Sequence, residues 1–283
     1  MAVTLSTPAR RPASALADWN RVASIFHRDR RLALSYSASF YLSWLNILVE
    51  VNVAFFLSIL LHPSARFGWN GHVGTYFGYL VVNFAIIRFQ TTALTAFAEA
   101  IRDGQMMGTL EVMLATPTSL PLLVLSSGLW AFTLTGFQTA AYLIIAFLYH
   151  LDFSHLNVLT AVVFFTLMIL SISPVGVVAA AATMLFKKTG PVEWFMTSVS
   201  TIFAGVYLPI SLLPGPLKLI SWLLPLSHVL NGLRAAFFGA SLRDVAPDAL
   251  WLCASTVILL PVALWFFALA VRRSKVDGSL GLY

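Results

Sequence analysis

Six long apolar stretches constrain the fold of this chain more than any other feature. They cover about residues 37–61, 75–97, 120–148, 158–186, 194–213 and 250–271. About 20 apolar residues of helix cross the hydrocarbon core of a bilayer. The composition agrees, because 10% of the residues are charged, whereas a soluble domain carries about 25%. The sequence therefore predicts an all-α integral membrane protein with six transmembrane helices.

The positions of lysine and arginine predict how these helices are oriented. If the N-terminus is cytoplasmic, twelve basic residues of the loops and tails fall inside and four fall outside, namely Arg66, Lys218, Arg234 and Arg243. Cytoplasmic loops carry an excess of Lys and Arg. We therefore expect a multi-pass protein of the plasma (bacterial inner) membrane with both termini in the cytoplasm. The net charge is +6, but the basic residues flank apolar stretches, so this charge does not favour nucleic-acid binding.

The N-terminal region predicts an amphipathic helix over residues 14–35. Trp19 and Phe26 recur with other apolar residues at helical spacing, while Arg21 and Arg28 occupy polar positions. An aromatic face opposite an arginine face is typical of a helix that lies flat in the headgroup layer. Packing against a soluble partner is the alternative. Residues 1–13, which are polar and rich in Pro and Arg, and residues 276–283 are predicted to be cytoplasmic tails, the first of them disordered.

Two connecting segments also have helical character. Residues 98–117 mix charged and apolar residues, which predicts a cytoplasmic helix that ends near Pro117. On the outside, residues 214–248 contain two apolar pieces too short to cross the membrane, with breaks at Pro214, Pro216 and Pro225. They predict a re-entrant helical hairpin in the outer leaflet, with an extracellular helical cap as the alternative.

Two motifs resemble those of type-2 ABC exporter permeases of the drug and lipooligosaccharide exporter branch. Residues 108–117 read Gly-Thr-Leu-Glu-Val-Met-Leu-Ala-Thr-Pro, which is similar to the family signature G-T-L-E-x-L-x-x-T-P. Residues 205–214, followed by 224–228 and 231–234, resemble the run that joins the fifth span to a re-entrant hairpin. The resemblance covers residues 15–275 in order, and it implies an ABC-2 transmembrane domain over residues 36–275.

The resemblance also implies a function and partners. The chain would be a transport subunit, not an enzyme, that moves a hydrophobic, amphipathic or lipid-linked substrate outward. It would bind a nucleotide-binding subunit and a second permease copy, either identical or related, within membrane lipid. ATP and Mg²⁺ would sit on the partner subunit, because the sequence holds no phosphate loop of the G-x-x-x-x-G-K-[ST] type.

The resemblance assigns two groups of residues. The coupling segment that meets the ATPase would use Glu99, Arg102, Gly108, Thr109, Leu110, Glu111, Thr116 and Pro117. The outer hairpin would be shaped by Pro209, Pro214, Pro225, His228 and Arg234. No metal site is expected, because His150, His155 and Asp152 alone are too few ligands.

Two ionisable residues lie within the apolar stretches, Glu50 in the first and Arg88 in the second. Charges inside a membrane usually face the bundle interior and pair. We expect an ion pair, or a polar network that also holds Asn46, Asn52, Asn83 and Gln90. Its role is either structural or in substrate contact. A possible substrate path would run along Asn46, Phe55, Phe132 and Phe203.

Two functions of other classes are the alternatives. A proton-coupled secondary transporter would work through Glu50, and it predicts inverted repeats that the sequence does not show. An integral-membrane enzyme predicts several carboxylates and histidines that converge at one face, whereas the six histidines are dispersed.

Overall fold

The computed structural model describes residues 15–61, 66–69, 72–116, 118–186, 190–206, 210 and 213–276. Within these residues, helices form nearly all of the regular structure: α1 (Ala15–Ser35), α2 (Ser37–Leu61), α3 (Tyr76–Met106), α4 (Thr109–Ala115), α5 (Leu120–Ser127), α6 (Leu129–Leu148), α7 (Val158–Phe186), α8 (Gly190–Phe203), α9 (Gly215–Leu223), α10 (Pro225–Phe237) and α11 (Ala246–Val276). The predicted tail 1–13, Pro117, Pro209 and residues 277–283 lie outside them.

Five helical stretches among the described residues are long and apolar enough to cross a membrane: Phe40–Leu60, Tyr76–Met106, Leu120–Leu148, Val158–Phe186 and Ala246–Val276. They match the first four and the last of the predicted spans. The third comprises α5 and α6, which meet at Gly128. For the fifth predicted span, the structure describes α8, which has 14 residues. At about 1.5 Å per residue, α8 is shorter than the hydrocarbon core.

Helix α7 lies at the centre, packed against α3, α10 and α11. Two glycines allow these contacts. A Cβ atom on Gly176 of α7 would lie 2.0 Å from the backbone oxygen of Ala93 on α3. A Cβ atom on Gly232 of α10 would lie 2.0 Å from the Phe164 ring on α7. Small residues therefore set how closely α3, α7 and α10 approach one another.

Three clusters of buried side chains run along the bundle, and α3 contributes to all of them. The middle cluster joins α3, α7 and α10 through residues such as Phe89, Phe164 and Leu230. A second joins α3, α4, α7 and α11 at one end. The third joins α2, α3 and α6 around Tyr142 towards the opposite end. Because α3 takes part in all three clusters, it fixes the positions of the polar residues that it carries.

The structure adds features that the sequence patterns did not predict. Residues Arg66–Trp69 and His72–Thr75 form an antiparallel hairpin, β1 and β2, before α3. Helix α3 runs without a break to Met106, so that the second predicted span and the first part of the helix predicted within residues 98–117 are one helix. Pro214 and Pro225 begin α9 and α10 as N-cap and first residue. Proline suits a helix start because its missing N–H would be unpaired there.

Candidate functional site

A polar site lies between α2, α3 and α6 and is centred on Glu50 and Arg88. Arg88 Nη2 donates a hydrogen bond to Glu50 Oε2 and forms an ion pair with it. One helical turn before Glu50, Asn46 Nδ2 donates to Glu50 Oε1 at 2.8 Å. Arg88 Nη1 lies 3.4 Å from Gln138 Oε1, and Gln138 Nε2 donates to Ser43 Oγ at 3.0 Å. Charge is therefore balanced within a network that ties three helices together.

A cavity of about 490 Å³ opens beside this pair. The Arg88 side chain is 12% exposed and the Glu50 side chain 32%. The polar lining residues are Asn46, Glu50, Arg88, Thr91, Thr92, Thr135 and Gln138, and the apolar ones are Val49, Val53, Phe84 and Ile87. Arg88 Nε is buried without a hydrogen-bond partner in the described part of the chain. The cavity therefore offers an amphipathic surface that includes a paired carboxylate and guanidinium.

The members of this network differ from those predicted. Asn52 lies near the pair in sequence but accepts a hydrogen bond from Tyr149. Asn83 bonds to Arg234 and the Val206 carbonyl instead. Gln90 is buried on another face of α3, where its Oε1 has no partner among the described residues. Gln138 was missed, although a lone glutamine in an apolar span is a signal that could have identified it.

Of the four residues predicted for the substrate path, one lines the cavity beside Glu50. Asn46 lines the cavity beside Glu50. Phe55 packs against Phe77 and Tyr149 in the α2–α3–α6 cluster. Phe132 packs against Phe97, and the Phe203 carbonyl accepts a hydrogen bond from Ser221. Three of the four residues therefore lie away from the cavity.

Arg234 forms a second polar cluster where α10 meets α3. Its Nε donates to Asn83 Oδ1 at 2.9 Å, and its Nη2 donates to the Gly205 carbonyl at 2.6 Å. Its guanidinium carbon lies 4.4 Å from the centre of the Tyr79 ring. Tyr79 also donates to the Gly205 carbonyl, at 2.9 Å. The charge pattern placed Arg234 in an outer connection. The structure shows a half-buried arginine that binds the carbonyl of a residue just past α8.

His228 joins α9, α10 and α11. Its Nδ1 lies 2.6 Å from Asp248 Oδ1, and its Nε2 lies 2.8 Å from the Trp222 carbonyl. Asn231 Nδ2 donates to the other Asp248 oxygen at 2.6 Å, and Trp251 stacks on the imidazole with ring centroids 4.3 Å apart. Both ring nitrogens therefore face hydrogen-bond acceptors, one on α11 and one on α9. The contact to Trp222 also caps the last turn of α9.

The segment between α3 and α5 contains most of the predicted coupling residues. Gly108 has a φ of 65°, a left-handed conformation that glycine adopts readily, and it turns the chain from α3 into α4. Leu110 is 1% exposed and packs near Gly104 and the buried Ile101. Glu99, Arg102, Thr109, Glu111 and Thr116 are exposed. Leu110 therefore anchors α4, while the charged side chains of this segment face outward.

Asp29 of α1 lies near this segment. Arg28 Nη2 forms an ion pair with Asp29 Oδ1 at 2.7 Å. Burial nevertheless raises the pKa of Asp29, with Arg28 acting in the opposite direction and Asp103 adding to the increase. The Phe26 ring packs edge-on against Trp130 of α6, with centroids 5.5 Å apart. Helix α1 is thus attached to the bundle by the Phe26–Trp130 contact and by Arg28, whose Nη1 lies 2.8 Å from Met113 Sδ of α4.

The described residues contain no group of three or more histidine, cysteine or acidic side chains placed to hold a metal ion. The Asp152 carboxylate accepts a hydrogen bond from the Ser154 backbone N–H at 2.8 Å. Hydrogen bonds from Ser154 lower the pKa of Asp152. Asp152 therefore organises its own turn.

Long apolar helices, a balanced charge pair within them and an anchored short helix after α3 define a multi-pass membrane protein. The family described as "ABC-2 family transporter protein" matches residues 54–265, which is more than half of the chain. The chain therefore belongs to this family. It is a transporter permease subunit, of a kind that works with an ATP-binding subunit. No curated protein matches the sequence.

Proposed function

We propose that this permease subunit belongs to an ATP-driven exporter that moves a hydrophobic, amphipathic or lipid-linked substrate outward. The observation that carries the proposal is that one side of α4 is buried in the bundle and the other side is exposed. Leu110 is buried in the bundle, whereas Glu111 is exposed and Val112 is 68% exposed on the same short helix. Met106 and Met107 beside them are 63% and 50% exposed. A rigid surface that mixes charge with exposed apolar side chains is suited to contact with a partner protein.

The length of α3 supports this placement of the partner. Helix α3 has 31 residues. At about 1.5 Å per residue it is about 46 Å long, against about 30 Å for the hydrocarbon core. Its last turns, with Glu99 and Arg102, therefore extend into water, and α4 follows them. In this proposal the ATPase subunit binds α4 on the cytoplasmic side, and ATP and Mg²⁺ are held by that subunit.

The proposal includes the finer architecture expected from the sequence. The chain crosses the membrane six times, with the predicted stretch at residues 194–213 as the fifth crossing, and both termini are cytoplasmic in the bacterial inner membrane. Helix α1 lies in the headgroup layer, which is supported by Trp19 at 70% exposed. Helices α9 and α10 form a re-entrant hairpin. Leu219, Trp222 and Leu223 support this, because they are 65–74% exposed on α9 and suit lipid better than water.

The second permease copy is proposed because one chain provides half of a translocation path. In the most hydrophobic parts of α2 and α11, only 17% of the residues are buried within the chain. Their outer faces therefore contact lipid or another chain. Whether the second copy is identical is decided by purifying differently tagged chains together.

The cavity beside Glu50 and Arg88 supports the substrate class. Polar side chains line one part of it and Val49, Val53, Phe84 and Ile87 the other. A molecule with a polar head and an apolar body matches both parts. Outward transport is tested with inside-out vesicles, in which ATP should drive uptake of a fluorescent amphipath.

The decisive experiment measures ATP turnover by the candidate ATPase co-purified with this chain. Wild type is compared with Glu111→Arg, and Asp244→Arg serves as the matched control because Asp244 is an exposed carboxylate at the other end of the molecule. We expect Glu111→Arg to weaken association and turnover severalfold, and Asp244→Arg to leave both unchanged.

A different outcome would favour the competing function. If no ATPase associates, ATP drives no uptake and a proton gradient alone does, the exporter proposal fails. Transport would then be expected to depend on Glu50, and Glu50→Gln would abolish it.

A further inference from the structure

The two charged groups beside the cavity between α2, α3 and α6 are not equally accessible. Arg88 donates to Glu50 Oε2 through Nη2, and its Nη1 lies 3.4 Å from Gln138 Oε1. The Arg88 side chain is 12% exposed, against 32% for Glu50. A molecule in the cavity therefore reaches the carboxylate more easily than the guanidinium.

The acceptor groups on the α2 wall of the cavity are only partly used. Glu50 Oε1 accepts one hydrogen bond, from Asn46 Nδ2 at 2.8 Å, and Oε2 accepts one from Arg88. A carboxylate has about four acceptor positions, so about two remain on Glu50. Asn46 Oδ1 accepts no hydrogen bond within the described part of the chain. This wall therefore has unused acceptors, and the most accessible of them is charged.

The threonine hydroxyls of the other walls are mostly committed to each other. Thr92 Oγ1 donates to the Arg88 carbonyl at 3.1 Å, which uses its one hydroxyl hydrogen. Thr135 Oγ1 lies 2.8 Å from Thr92 Oγ1, so Thr135 is the donor of that bond. The donors that remain exposed in the lining, such as the hydroxyl of Thr91, are uncharged. The strongest unused hydrogen-bonding group that faces the cavity is therefore the Glu50 carboxylate.

The surroundings of the cavity strengthen this preference. Glu50 and Arg88 lie within the apolar stretches Phe40–Leu60 and Tyr76–Met106. Where water is scarce, a hydrogen bond to a charged group is stronger and an unpaired polar group is more costly. Val49 and Val53 are half exposed, so the apolar wall continues onto the outer face of α2. A ligand with an apolar body and a hydrogen-bond donor at one end fits both parts.

We propose that this cavity selects amphipathic molecules whose polar end donates hydrogen bonds, as a hydroxyl or a primary ammonium group does, and that it rejects anions. The donor binds the free positions of Glu50, and Asn46 Oδ1 accepts a second bond. An anionic end would face the carboxylate, while Arg88, which could balance it, is already paired and mostly buried. That the bound molecule is the transported substrate rests on the proposed exporter function, whereas binding does not.

Native mass spectrometry of the purified full chain tests the selectivity. The detergent is an amine oxide used above neutral pH, which has no N–H or O–H donor and so does not compete. The probes share an 18-carbon chain with one double bond (about the length of one lipid tail). Monooleoylglycerol carries hydroxyls, oleylamine an ammonium, methyl oleate no donor, and oleate an anion. We expect the first two to bind about tenfold more tightly than the other two.

Val53→Phe and Leu48→Phe form a matched pair of variants. The two residues are 44% and 46% exposed on α2, and of the two Val53 lines the cavity. Val53→Phe fills the cavity and should weaken monooleoylglycerol binding about tenfold, whereas Leu48→Phe should change it by less than about twofold. Both variants leave the ion pair intact, so they remain informative if Glu50→Gln does not fold.

Asn46→Leu tests the second acceptor. Asn46 is exposed, so its replacement fills no buried space. The variant should weaken monooleoylglycerol binding about fivefold and leave methyl oleate binding unchanged. Equal weakening of both probes would show that the side chain acts only by shape and would contradict its role as an acceptor.

Three results would overturn the proposal as a whole. They are equal binding of methyl oleate and monooleoylglycerol, tightest binding of oleate, and equal loss of binding in Val53→Phe and Leu48→Phe. Binding of oleylamine alone would show attraction by charge without a role for donation, and would overturn it too.

The link to transport is measured separately in inside-out vesicles. Monooleoylglycerol and oleylamine should inhibit ATP-driven uptake of the fluorescent amphipath, and methyl oleate should not. The mass-spectrometry result needs no ATPase. Selective binding without any ATP-driven uptake would uphold the cavity and contradict the exporter function, so the two failures are distinguishable.

Discussion

Arg234 donates a 2.6 Å hydrogen bond from Nη2 to the backbone carbonyl of Gly205, 29 residues earlier in the chain. This bond joins α10 to the end of α8. With the bonds to Asn83 and the stacking on Tyr79, it makes Arg234 the residue that connects the predicted outer hairpin to α3.

Arg234→Met should therefore destabilise the protein. Asn83 Oδ1 would lose its donor in a buried position, at a cost of about 2–4 kcal/mol. Thermal unfolding in detergent, followed by tryptophan fluorescence, measures the change. Arg243→Met is the control, because Arg243 is exposed, and it should change stability by less than about 0.5 kcal/mol. Equal shifts in the two variants would contradict the role assigned to Arg234.

The Glu50–Arg88 pair should behave as a coupled unit. Glu50→Gln and Arg88→Gln each leave an uncompensated charge between the helices. Because both side chains are partly buried, each substitution should lower the free energy of unfolding by about 2 kcal/mol, between the values for exposed and for fully buried pairs. The double variant removes both charges and should cost less than the sum. A double-mutant cycle on unfolding free energies measures the difference. Additive costs would show that the two charges do not stabilise one another.

Glycine positions provide a test of helix packing. Gly176→Ala would place a methyl group against the Ala93 carbonyl on α3, a backbone atom that cannot move without shifting the helix. We expect a loss of about 1–3 kcal/mol. Gly136→Ala on α6 meets no atom within 4 Å, and it should stabilise the helix by up to about 1 kcal/mol. Similar effects of the two substitutions would contradict the close approach of α3 and α7.

Asp29 should give stability a specific pH dependence. Its pKa is raised in the folded state, mainly by burial. The folded state therefore binds the proton more tightly than the unfolded state, and this contribution is lost as the pH rises through the folded-state pKa. An asparagine side chain at this position cannot ionise, so the Asp29→Asn variant does not lose this contribution. Its melting temperature minus that of wild type should therefore increase as the pH rises above about 4.

Asp244 provides a control of opposite sign. Hydrogen bonds from Ser241 lower its pKa, so its contribution is present above the unfolded-state pKa and is lost as the pH falls. The difference between Asp244→Asn and wild type should therefore become more negative as the pH rises from about 3 to 5. The same slope for both variants would argue against the burial of Asp29.

The apolar patterns predicted the helices well because span length follows from bilayer thickness. The stretches at 37–61, 120–148 and 158–186 correspond to α2, α5 with α6, and α7. A helix was expected within residues 98–117, but not that α3 runs from the second span to Met106 without a break, since a hydropathy pattern marks where the apolar stretch ends and not where the helix ends. The hairpin of β1 and β2 was missed because four-residue strands leave a weak signal.

Charge in an apolar stretch singled out Glu50 and Arg88, because an isolated charge there is costly and needs a partner. The same reasoning did not identify the partners of Arg234, which lies in an apolar piece of the predicted outer hairpin. Only the packing of α10 on α3 and α7 places it beside Asn83 and Gly205.

The amino-acid sequence determined that this chain crosses the membrane and belongs among ABC-2 permeases, since both properties reside in local composition and short motifs. The tertiary structure decided which polar side chains meet. Asn83 faces Arg234 and not Glu50, Gln138 joins Arg88, and Arg28 contacts Met113 of α4. These pairings depend on helix rotation and on the close contacts at Gly176 and Gly232, which arise only when the helices pack.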